Sequence, residues 1–84
     1  MSTFHLAALE GFEISPRFRK TIEERIVRLG KDADWDEAQI DQLENQDHIR
    51  RQMRLVAAQR AEALRMQLFL DRARDRMPRP LIPL

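Results

Sequence analysis

Apolar residues recur along the first half of the chain at helical spacing. Phe18, Ile22, Ile26 and Leu29 follow one another at intervals of four, four and three, which makes one stripe on a helix. Ser15 precedes the stripe as a capping residue whose hydroxyl can accept an unpaired N–H of the first turn. Pro16 stands at the first helical position, where its missing N–H costs nothing. Gly30 follows as a C-terminal cap, with Arg25, Arg28 and Lys31 at the negative end of the helix dipole. The pattern predicts a helix over 16–29. Asp34 then opens a second helix, with Glu37 three residues on in the manner of a capping box. No Gly or Pro interrupts the chain from there to Met77, so a helix is expected over 34–77, with Asn45-Gln46-Asp47 the place for a break. The short link at 30–33 makes the two helices antiparallel neighbours. Phe18, Ile22, Ile26 and Leu29 would pack on Trp35, Ala38, Ile40 and Leu43.

Residues 48–77 run past that hairpin, and their apolar positions fall into two groups on roughly opposite sides of a helix. Ile49, Met53, Val56, Ala57, Leu64 and Leu68 form one group; Leu55, Ala58, Met66, Phe69, Leu70, Ala73 and Met77 form the other. A helix apolar on two sides is normally buried between other elements. The N-terminal segment, 1–14, can cover one side, as a short helix over 3–10 or as an extended stretch through Phe12 and Ile14. Covering both sides then calls for a second chain. A heptad column also runs through Trp35, Gln42, Ile49, Val56, Ala63, Leu70 and Met77. Its companion column, Ala38, Asn45, Gln52, Gln59, Met66 and Ala73, is too polar for a dry seam, so a loose bundle is expected in place of a coiled coil. Pro78 ends the helix, and Pro80 and Pro83 bias 78–84 toward an extended arm that carries Leu81, Ile82 and Leu84.

The length of 84 residues holds one small domain. With only two glycines and four prolines a turn-rich β fold is not expected, and the absence of cysteine excludes a disulfide scaffold and a thiolate site. No apolar run approaches the ~18–20 residues of a membrane span, and the first residues lack the pattern of a secretory leader. A cytoplasmic location, or one within an assembled particle, is expected. The net charge of +1 conceals blocks: residues 16–31 are basic, 32–47 carry seven acids and no base, and 48–84 carry nine arginines. Such blocks pair with one another or with a partner.

Chemical motifs are sparse. Asp32, Asp34 and Asp36 alternate as in a calcium loop, but Glu37 stands where the required Gly belongs and Leu43 where the bidentate Glu belongs. His5 and His48 have no companions that build a metal site, and Ser2, Thr3, Ser15 and Thr21 lack the base a nucleophile needs. No enzyme activity, cofactor, metal or small-molecule substrate is expected. The fold class expected is all-α: a helical hairpin with one long C-terminal helix and an extended Pro-rich arm. The function expected is that of a structural or assembly subunit or adaptor, of the kind found in phage or virion particles, secretion-type assemblies and multi-subunit enzymes. It would dock on a protein partner or a copy of itself through Leu55, Met66, Phe69, Leu70, Ala73, Met77, Leu81, Ile82 and Leu84. The alternative is a small helical nucleic-acid-binding or regulatory protein that uses the Arg-rich long helix, with Arg50, Arg51 and Arg54 as the nucleic-acid contacts.

Overall fold

A computed structural model describes residues 12–76. The proposed helix over 3–10 and the arm over 78–84 lie outside those residues. Within them the chain is an all-α helical hairpin: α1 spans Pro16–Ala38 and α2 spans Gln46–Arg72. A single 3-10 turn at Ile40–Gln42 lies between them. Two three-residue strands close the open end, β1 at Phe12–Ile14 and β2 at Ala73–Asp75, paired in parallel with Phe12 level with Ala73 and Ile14 level with Asp75.

The start of α1 is the one the sequence signals. Ser15 Oγ accepts the Phe18 N–H at 3.1 Å, and Pro16 follows at the first helical position. The end is not. The helix runs through Gly30 and on to Ala38, so 30–33 is not a link and Asp34 starts nothing. Ala33 explains the continuation: it is fully buried, and burial along this face overrides the weak helix propensity of one glycine. The reversal comes later. Gln42 and Leu43 donate backbone N–H bonds to Gln39 and Ile40. Asn45 then caps α2, its Oδ1 accepting from the Asp47 and His48 N–H groups at 2.8 and 3.2 Å. The break expected at Asn45–Asp47 is therefore the start of the second helix.

The late reversal rearranges the packing. Phe18, Ile22, Ile26 and Leu29 share one helix with Trp35 and Ala38, so those groups do not face each other. Trp35 lies two residues beyond Ala33, about 200° round the helix, and is 69% exposed. The inward positions of α1 and the turn are Ile22, Ile26, Leu29, Ala33, Asp36, Ile40 and Leu43, all buried or half-buried, at alternating steps of four and three. Those of α2 and β2 are Ile49, Gln52, Val56, Gln59, Ala63, Met66, Leu70 and Ala73, at the same alternation. This is the heptad seam that its polar members argued against.

Its glutamines donate across it. Gln52 Nε2 donates to the Asp36 carbonyl at 2.9 Å, and Gln59 Nε2 donates to Asp36 Oδ2 at 3.0 Å. Both bonds converge on one residue of α1 and fix the register of the hairpin. Arg60 reaches the same stretch, pairing with Asp34 at 3.2 Å and Glu37 at 2.8 Å. The acidic block thus meets α2, and not the basic block that precedes it in α1.

The open end holds the best-formed core. Ile14, Leu70 and Ala73 are buried together, with Phe12, Ile22, Ile26 and Phe69 packed around them. The Phe69 ring lies 4.6 Å from that of Phe12 and 6.2 Å, edge-on, from that of Phe18. Arg19 ties the corner: its Nη2 donates to the Ala73 carbonyl at 2.9 Å and its Nε to the Asp75 carboxylate. This pairing ends α2 at Arg72, five residues before the expected Met77. Elsewhere packing is thin. Among the described residues only Ile14, Ala33, Val56, Leu70 and Ala73 are buried, and no large side chain is completely enclosed.

Candidate docking surface

The seam uses one arc of α2, and the apolar residues on the outer side of the helix are open to solvent. Met53, Leu64 and Leu68 are 56%, 59% and 51% exposed, and Ala57 and Ala61 between them are exposed as well. At 100° per residue Met53, Ala57, Leu64 and Leu68 lie within about 60° of one another, and about 120° round the helix from the centre of the seam. They form a continuous apolar stripe along the outside of α2. At the end nearer the turn the stripe adjoins an open groove lined by Ile40, Met53, Val56 and Ala57 and rimmed by Glu37 and Arg60.

The residues expected to meet a partner are divided by the structure. Leu70 and Ala73 are buried in the hairpin's own core, at 4% and 9% exposure, and offer no surface. Met66 and Phe69 are half-buried, and Phe69 is held by Phe12 and Phe18. Leu55 is exposed, on the other flank of the seam. Met77, Leu81, Ile82 and Leu84 lie outside the described residues. Met53, Leu64 and Leu68, the most exposed large apolar residues of α2, belong to the apolar group that carried no expectation of docking. The strict alternation of steps from Ile49 to Ala73, polar members included, is the signal that separates seam from stripe.

Arg50, Arg51 and Arg54 are exposed in the first turns of α2. Arg50 lies 3.8 Å from Asp47, and all three share the turn end of the hairpin with the acidic block. That block offsets the field a phosphate backbone would require. Most ion pairs with a described partner, Arg60 with Asp34 and Glu37 and Arg65 with Glu62, are surface contacts. Among the described residues no group of three or more His, Asp or Glu side chains converges at metal-binding distance. His48 stands exposed beside the cap of α2. No helix among the described residues is long and apolar enough to cross a membrane. No protein-family model, curated protein or solved structure matches the chain.

Proposed function

We propose that this chain is a non-catalytic assembly subunit or adaptor that docks on a protein partner through the outer stripe of α2. The observation that carries the reading is the stripe itself: Met53, Leu64 and Leu68, each more than half exposed, lined up on one face of the longest helix. Scattered exposed apolar residues are ordinary on a small protein, whereas a contiguous row marks an interface. The row stands apart from the seam, so a partner can cover it without opening the hairpin. The thin core points the same way, because small scaffolds without disulfides gain stability from association.

Native size in the source cells tests this. The chain, 10.0 kDa alone, should migrate in a larger complex, and Leu64→Asp should release it. Migration of the wild-type chain as a single 10.0 kDa protein in those cells would refute the docking role.

A further inference from the structure

We infer that the occupant of the stripe is the same stripe on a second copy of this chain, laid antiparallel across a twofold axis. This rests on the docking reading and names its partner. A twofold interface brings one patch against itself, so the patch must be complementary to its own reversal. The stripe meets that condition. With the axis between Arg60 and Ala61, Met53 of one copy lies level with Leu68 of the other, and Ala57 with Leu64. The small side chains of Ala57 and Ala61 sit at the centre, where two helices must approach closest.

Charge completes the match. The same reversal brings Arg50 level with Asp71, at each end of the apolar row and on the same face of α2. Both side chains are exposed. Among the described residues neither is engaged across the hairpin seam: Arg50 faces Asp47 of its own first turn, and Asp71 accepts the Gln67 amide at 2.9 Å. On a larger scale the hairpin carries its acids at the turn, in 32–47, and an excess of bases toward the open end. An antiparallel copy sets each acidic turn beside a basic open end, whereas a parallel copy stacks like charges.

Sedimentation of the pure full-length protein over a wide concentration range tests the pairing. The expected species has twice the mass of the 10.0 kDa chain. Leu64→Asp should raise the dissociation constant on the order of 100-fold or more with the helical signal kept, since Leu64 is 59% exposed in the hairpin. Arg50→Asp alone should raise it roughly 3- to 30-fold, because the twofold axis repeats each lost pair. Adding Asp71→Arg to Arg50→Asp should restore it to within about threefold. Orientation is read with spin labels on single cysteines, which the cysteine-free chain permits. Labels at Ala61→Cys should lie in near contact across the axis, and labels at Arg51→Cys about 30 Å apart along the paired helices.

A monomer at every concentration overturns the pairing. If Leu64→Asp then also lowers the melting temperature of that monomer, the occupant is a segment of the chain itself, 1–11 or 77–84. If the pure chain is monomeric but runs in a larger complex in its source cells, the occupant is a different protein, and the docking reading stands without this one. Close approach at both labelled positions, or no rescue by the charge exchange, overturns the antiparallel arrangement.

Discussion

Gly30→Ala distinguishes the hairpin described above from the one the helix signals suggest. Gly30 lies inside α1, with eight helical residues still to come through Ala38. Its backbone is in the ordinary helical region, and a Cβ built there meets nothing within 4 Å. The substitution therefore adds no clash and removes the backbone entropy that glycine loses on folding. A mid-helix Gly costs about 0.5–1 kcal/mol relative to Ala. At roughly 4–8 °C per kcal/mol for a chain of this size, the melting temperature should rise by about 2–8 °C. Thermal unfolding followed by far-ultraviolet circular dichroism measures it. Both proteins must be compared at one concentration, since association makes the midpoint concentration-dependent. The opposite sign would sink the reasoning. If α1 ended at Leu29, Gly30 would be the left-handed cap, and Ala there would destabilise by about 1 kcal/mol. A fall in the midpoint would thus move the reversal of the chain back to 30–33 and unmake the seam built on Ala33.

Three further substitutions and one double substitution probe the packing of the hairpin. Phe69→Ala removes a half-buried ring that contacts Phe12 and Phe18, and should cost about 2 kcal/mol in denaturant titration. Leu68→Ala, its exposed neighbour, should change the stability of the dissociated hairpin by less than about 0.5 kcal/mol; equal costs would place both on one face. Asp36→Leu leaves the Gln59 amide without its acceptor and should destabilise by about 1–3 kcal/mol. Asp36→Leu with Gln59→Leu should recover most of that loss, because the buried Gln59 Oε1, which has no partner among the described residues, is removed too. Additive losses in the double-mutant cycle would mean the two side chains do not interact.

The all-α hairpin and the start of α1 are legible in the sequence because Ser15-Pro16 acts locally, through groups a few residues away. The position of the reversal is not. Gly30 and Asp34 carry the local signs of a stop and a start, and the helix crosses both because Ala33 is buried against a helix distant in the chain. Asn45, the cap that opens α2, was legible only as a polar break. The docking stripe was hidden for a related reason. Sorting α2 by hydrophobicity alone places Val56 with Met53 and Leu70 with Leu55. The true seam runs through Gln52 and Gln59, which count as polar until Asp36 is seen opposite them. Once those two glutamines are assigned to the seam, Met53, Leu64 and Leu68 are left over on one face.

The two ends of the hairpin are locked by short-range devices, and its middle is not. At the open end the β1–β2 ladder, Arg19 and the Phe69 cluster hold both helices. At the turn Asn45 and the 3-10 bonds fix the reversal. Between them the facing side chains are small or polar: Ala33 and Asp36 on α1, Gln59 and Ala63 on α2. Such positions bring the helices close but bury little apolar area, so they contribute least to stability. The centre of the outer stripe, Ala57 to Leu64, lies at this same level of α2. A second copy seated there would brace the hairpin where its own packing is weakest. Association and folding are then coupled through the middle of α2. Amide exchange in that stretch should slow as protein concentration rises, while exchange near β1 and β2 changes little. Uniform protection at all concentrations would show instead that the seam alone holds the middle closed.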